Sequence, residues 1–187
     1  MAFLWHDETL STFANQMPTR EQFLNQVTEF LQNDKNLVGI GVPPLWQPNR
    51  NPAEECLKLP IDVAGVMRGQ ELVIVSYPAS ENLRFTINIV YGISICRLDF
   101  DETGGHTNGF LAHLDMLPII VSGSHFHRWE INKRFIEGNG KLEELKHAES
   151  LPTTIRSFDA ALRWFCDETK INLPHNHLIE LPPRKLI

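Results

Sequence analysis

Leu83-Arg84-Phe85-Thr86-Ile87-Asn88-Ile89-Val90-Tyr91-Gly92-Ile93-Ser94-Ile95-Cys96-Arg97-Leu98-Asp99-Phe100 decides the fold. Apolar Leu83, Phe85, Ile87 and Ile89 alternate with Arg84, Thr86 and Asn88, a period of two that gives one buried and one polar face. Tyr91-Gly92 turns the chain and residues 93–100 return as a second β-rich run, so the stretch reads as an antiparallel hairpin.

Upstream, residues 61–67 and 71–77 read as two further strands around a turn at Arg68-Gly69-Gln70. Before them, residues 37–42 form a short extended run that Pro43-Pro44 stops, and residues 45–60 read as a loop. Pro18-Thr19 opens a helix. Thr19 is a capping residue, Gln22 completes a capping box, and Phe23, Leu24, Val27, Phe30 and Leu31 follow at helical spacing until residues 33–36 break the pattern. Residues 1–17 hold Phe3, Leu4, Trp5, Leu10 and Phe13, too apolar for a free tail.

Downstream, residues 101–109 form a polar loop. Residues 117–122 read as a strand that passes a kink at Gly123 and runs through His125 and His127 to about Ile131. A turn at 137–140 and a short charged helix over 141–150 follow. The last helix starts near Ser157, with Phe158, Ala161, Leu162 and Phe165 on one face and Asp159 and Lys170 placed to suit its dipole. Pro174 ends it, and residues 174–187 form an extended tail. Connections between the strands are too short for parallel crossovers. The expectation is a single α+β domain over 1–187, with an N-terminal helix, a mostly antiparallel sheet of about five to six strands and a C-terminal helix.

With 187 residues, 42% of them hydrophobic, the chain can bury a core, and its formal charge of −6 argues against a surface that is nucleic-acid footprint throughout. Cys56, Cys96 and Cys166 are odd in number and far apart, which indicates neither a disulfide framework nor a thiolate zinc site. No stretch reaches the ~20 apolar residues of a membrane helix, and residues 1–12 lack the basic start and apolar run of a signal peptide. A cytoplasmic protein with no membrane partner is expected.

Half of the eight histidines fall between Arg97 and Arg134. His125 and His127, two apart in a strand-like run, project from one face. They suit two chemistries. One is general acid–base cleavage of a phosphodiester through a ribose 2′-hydroxyl, with neither metal nor cofactor. The other is metal binding, with His106, His113, Asp99 or Glu130 completing the shell. For the second, His125-Phe-His127-Arg-Trp-Glu130 with Gly138 resembles the first metal motif of cupins, although only two residues separate His127 from Glu130 and no second motif follows. Arg97, Asp99, His106 and Asn108 gather at a strand rim, where loops carry function, with Arg84 as an ion-pair neighbour. Arg128, Lys133, Arg134 and Lys141 give a local basic excess, and Trp129 either stacks on a base or packs in the core. Cys96 reads as a structural thiol, and His175 and His177 lie in a tail without a scaffold.

Arg97-Leu-Asp, His106-Thr-Asn, His125-x-His127 and an apolar C-terminal helix reaching Ile171-Asn172 together resemble a set of small uncharacterised bacterial proteins, some similar to the toxin halves of toxin–antitoxin pairs. This chain has Ser124 where that set has Pro, and a longer spacer over 109–123. The resemblance implies a toxin or phage-defence ribonuclease whose partners are RNA and an antitoxin or other protein. The corresponding assignment makes His106, His125 and His127 catalytic, with Arg84, Arg97, Asp99, Asn108, Arg128 and Trp129 toward substrate. A metal-binding enzyme and a non-catalytic interaction module are the alternatives.

Overall fold

Thr19 begins the first element as its sequence predicts. Its Oγ1 accepts from the Gln22 amide at 3.3 Å while Gln22 Oε1 accepts from the Thr19 amide at 2.8 Å, a complete capping box for α1 (Arg20–Gln32). The computed structural model describes residues 18–109, 112–113, 116–138 and 145–185. The apolar run 1–17 and positions 139–144, within the expected turn and charged helix, lie outside the described residues.

The strands are β1 (Lys35–Leu37), β2 (Gln47–Pro48), β3 (Glu55–Val63), β4 (Val66–Ser76), β5 (Arg84–Tyr91), β6 (Ile93–Asp101), β7 (Gly105–Thr107), β8 (Ile120–Ser122), β9 (His125–His127), β10 (Glu149–Ser150) and β11 (Ile171–Asn172). The other two helices are α2 (Trp129–Gly138) and α3 (Phe158–Glu168). A nine-stranded sheet runs β10-β9-β6-β5-β4-β3-β1-β11 with β2 beside β3, and β7 and β8 form a separate pair. The class is α+β and mostly antiparallel, with more strands than expected and one parallel pairing, β1 with β11. Among the described residues no helix is long and apolar enough to cross a membrane.

The hairpin that decided the fold pairs Phe85 with Phe100 and Ile87 with Leu98, and the two phenylalanine rings stack at 4.7 Å. Its inward row joins Leu57, Leu59, Leu72 and Ile74 against Leu24, Val27 and Phe30 of α1 and Leu162 and Phe165 of α3. All three helices contribute to this one core. The opposite row of the same strands therefore carries Thr86, Asn88, Arg97 and Asp99.

Several boundaries differ from expectation. The β3–β4 turn lies at Ala64-Gly65, where both residues have positive φ and the Gly65 amide donates to Asp62 Oδ1 at 2.9 Å. Gly69, at φ 83°, instead sits inside β4, opposite a register shift between Pro60 and Asp62. The loop expected over 45–60 contributes β2 and the start of β3, and of the run expected over 37–42 only Leu37 lies in a strand, as the last residue of β1, while 38–42 bend and turn. The long strand expected over 117–131 is two strands and a helix. Gly123, at φ 74°, turns the chain from β8 in the small sheet to β9 in the large one, and α2 begins at Trp129.

Within the helix expected over 141–150, residues 145–148 carry neither helix nor strand and 149–150 form β10. The tail carries no helix or strand over 174–185, yet it is anchored: Glu180 C=O accepts from Trp46 Nε1 at 3.0 Å, the Lys185 amide donates to Pro78 C=O at 2.9 Å, and Ile179 is buried.

Candidate functional site

Register builds the site. Asp99 pairs with His125 and Arg97 with His127 across β6 and β9, so four polar side chains stand on the sheet face opposite the helices. Phe126, between the two histidines, points the other way into the core against Phe165 and Trp164. The small β7–β8 sheet brings His106 onto the same group. Gly105 is required for that approach, because a Cβ there would lie 2.9 Å from the Val121 carbonyl of β8.

The three imidazoles form a compact triangle with centroid separations of 5.3 Å (His106–His125), 4.7 Å (His106–His127) and 5.2 Å (His125–His127). One nitrogen from each lies within 4.8 Å of the others, a grouping able to hold a metal ion. Asp99 Oδ2 is the hub. It accepts from Arg97 Nε at 2.8 Å and lies 3.3 Å from Nε2 of both His125 and His127. Arg97 Nη2 is 3.0 Å from His127 Nε2. His127 is fully buried, His125 nearly so, and His106 is half-buried and forms the outer edge.

Two histidines have their far nitrogens fixed by backbone carbonyls. His125 Nδ1 lies 2.9 Å from Gly123 C=O and His106 Nε2 lies 2.8 Å from Lys146 C=O. A carbonyl only accepts, so both nitrogens carry the proton, and a neutral ring in each case keeps its other nitrogen as a lone pair. His127 Nδ1 is buried with no hydrogen-bond partner among the described residues.

The electrostatics follow from this packing. Burial pushes His127 down to about 4, and Arg97 adds to the effect. Burial likewise lowers His106. For His125 burial acts downward too, but the Asp99 hydrogen bond and the Gly123 carbonyl outweigh it and raise its pKa. Burial alone would raise Asp99, whereas hydrogen bonds from the two imidazoles and the Arg97 charge hold it well below the usual carboxylate range.

Comparisons with protein-family models, curated proteins and solved structures find no match.

The sequence-derived candidates divide. His106, His125, His127, Arg97 and Asp99 come together. Arg84 is on the same face but engages Asp101 at 3.3 Å and stacks over Tyr77 at 4.4 Å. Arg128 bridges Glu149 and Glu168. Of the two readings of Trp129, packing in the core is the one the structure has: its ring is 1% exposed and its Nε1 donates to Thr28 of α1. His177 lies apart, against Asp159 of α3. Asn108 is buried and holds a strand in place of a substrate, donating to the Pro118 and Ala148 carbonyls and accepting from the Ala148 amide at 2.7 Å.

One residue that mattered had no sequence signal. Asn132 of α2 is fully buried, donates to the His147 carbonyl at 2.8 Å and accepts from the His147 amide at 2.9 Å. Asn108 and Asn132 thus act as surrogate backbone for residues 147 and 148, next to the Lys146 carbonyl that orients His106.

Proposed function

We propose that the protein is a metal-dependent enzyme of the hydrolytic class, with His106, His125 and His127 as ligands to one divalent transition-metal ion. The observation that carries this is the arrangement of the far nitrogens, two of which donate to the Gly123 and Lys146 carbonyls. Metal-bound histidines characteristically donate their other N–H in this way, which fixes the tautomer and the ring plane. Three imidazoles suit zinc once His125 gives up the Nε2 proton that it directs to Asp99, and they leave a position open to water or substrate. Bound there, such an ion supplies Lewis-acid activation of water and of an ester oxygen.

The chain's own residues do the rest. Asp99 orients His125 and His127, and Arg97, whose side chain is 37% exposed, offers a cation to an anionic substrate at the rim. Full burial of His127 keeps it from touching a polymer directly, whereas a small ion can reach it. Phosphodiesters are the first substrate class to test. The motif resemblance to toxin-like proteins makes RNA the first phosphodiester, and an antitoxin-like protein the first partner.

A second reading rests on Arg97, whose Nη2 lies 3.0 Å from His127 Nε2. On that reading the histidines cleave RNA by acid–base catalysis without metal. Zinc titration followed by elemental analysis separates the two. The metal reading expects about one ion per chain, lost in His127→Ala and retained in Arg97→Leu. Absence of stoichiometric zinc in the wild-type protein, together with chelator-resistant RNA cleavage that His127→Ala abolishes, would overturn it in favour of the second.

A further inference from the structure

The β5–β6 hairpin carries a bulge beside the histidine cluster. Its register runs without a break from Arg84 opposite Asp101 to Ile89 opposite Cys96 and then shifts by one residue, so that Val90 pairs with Ser94. Ile95 and Cys96 thereby become consecutive buried residues, and Ser94 stands on the face of Asn88 and Arg97, where unbroken alternation would have turned it inward. Ser94 Oγ there donates to Asn88 Oδ1 at 2.7 Å.

Asn88 pairs with Arg97 and Arg97 pairs with His127, so the three lie in one row across β5, β6 and β9. Side chains directly opposite in such a row have Cβ atoms ~5 Å apart. On its other side Asn88 faces apolar Val73 of β4. Both Asn88 and Arg97 have all but one polar group committed. Arg97 gives Nε to Asp99 and has Nη2 3.0 Å from His127 Nε2, which leaves Nη1. Ser94 holds the Asn88 carbonyl oxygen, which leaves Nδ2. Neither remaining nitrogen has a hydrogen-bond partner among the described residues, and both side chains are only part-buried, so a ligand can reach them.

We propose that Asn88 and Arg97 form a phosphate clamp for the histidine site, with Asn88 Nδ2 and Arg97 Nη1 donating to the two non-bridging oxygens of a phosphodiester. Ser94 is a positioning residue, which fixes the amide with its donors free. Two donors on adjacent strands, oriented before the ligand arrives, suit a group that presents two equivalent anionic oxygens. The proposal rests on the reading of the cluster as a centre for phosphodiesters and supplies the residue that reading lacks, a neutral donor beside the Arg97 cation.

Titration of the full chain with dimethyl phosphate, followed in proton–nitrogen correlation spectra and repeated with zinc present, tests it. The side-chain amide resonances of Asn88 should shift saturably, and neutral trimethyl phosphate should leave them in place. Asn88→Ala should weaken dimethyl phosphate about tenfold, because a hydrogen bond to an anion is lost. Asn88→Asp keeps the shape and the Ser94 bond but turns a donor into a negative charge beside Arg97, and should weaken it at least as much. Ser94→Ala should weaken it less than Asn88→Ala does, with Ser94→Thr restoring the wild-type affinity. Zinc stoichiometry in these variants should match the wild-type protein, since none removes a ligand. Lack of saturable dimethyl phosphate binding up to ~10 mM with and without zinc would overturn the clamp, as would wild-type affinity in both Asn88 variants. Dimethyl phosphate binding that depends on Asn88 in a protein that takes up no zinc would support the clamp and overturn the metal reading of the cluster.

Discussion

Asn132→Ala tests the link from core packing to the site. The native side chain makes three hydrogen bonds, to the Arg128 carbonyl at 2.9 Å, to the His147 carbonyl at 2.8 Å and from the His147 amide at 2.9 Å. The Arg128 carbonyl also accepts from the Asn132 amide, so alanine leaves it satisfied. Both backbone groups of His147, however, lose the partner that Asn132 gave them in a site with no solvent access. Each such loss costs about 1–3 kcal/mol and there are two, so the total is about 2–6 kcal/mol, with the small void left by the missing amide adding to it. That is a large share of the ~5–15 kcal/mol by which a domain is stable. Urea unfolding followed by tryptophan fluorescence should show the midpoint fall by about 1–3 M. Zinc affinity should fall about 10–100-fold as well, because the Lys146 carbonyl next to the released segment no longer holds His106. A stability loss below ~1 kcal/mol would refute the clamp. A full stability loss with unchanged zinc affinity would refute its connection to His106.

Two further outcomes are expected. Gly105→Ala places a Cβ 2.9 Å from the Val121 carbonyl, so β7 must move off β8; about 1–3 kcal/mol of stability should go, and with it the zinc affinity that depends on His106, measured in one titration series. Lys35, fully buried at the end of α1 with its Nζ donating to the Leu31 and Asn33 carbonyls, has its pKa lowered by burial from 10.5 to about 8. Between those values the unfolded chain binds more protons than the native one, so the lysine's unfavourable contribution fades as pH rises through that window. Wild-type stability relative to Lys35→Met should therefore increase by about 2–3 kcal/mol across it, and parallel pH profiles would contradict the assignment.

The hairpin over 83–100 was legible because its period of two extends through both strands and each inward residue meets another across the pair. The capping box at Thr19 and the spacing of Phe158, Ala161, Leu162 and Phe165 were equally local signals. The strand expected over 117–131 was misread for a physical reason. β9 is three residues long and owes its extended form to β6 and β10, distant in sequence, so nothing local marks its end at His127. Trp129-Glu130-Ile131 has β-forming residues, but burial of Trp129 against Thr28 favours the helix that follows. Within the site, His125 and His127 could be read from spacing and Arg97 and Asp99 from the hairpin. Asn132 and the carbonyls of Gly123 and Lys146 could not, since a backbone acceptor has no sequence signature and a buried asparagine looks like any other.

The charge balance of the cluster narrows what it can serve. Arg97 and Asp99 cancel through a 2.8 Å contact, and neutral imidazoles add no charge. The group therefore has no spare carboxylate to offset a divalent cation, unlike a site built from several acidic residues. Burying uncompensated charge beside His125 and His127 is costly, and among the described residues of the cluster no side chain supplies the compensating anion. His106 and the part-exposed Arg97 lie on the side from which it would arrive. A substrate carrying its negative charge at the reacting group meets that requirement directly, and a hydroxide formed from metal-bound water would meet it for a neutral one. The same arithmetic makes Arg97 double-edged: it gives an incoming anion a partner, while holding Asp99 and contacting His127 Nε2 it competes with any ion for the cluster's inner nitrogens. Retention of zinc in Arg97→Leu, combined with weaker binding of an anionic substrate, is the pattern that separates these two roles.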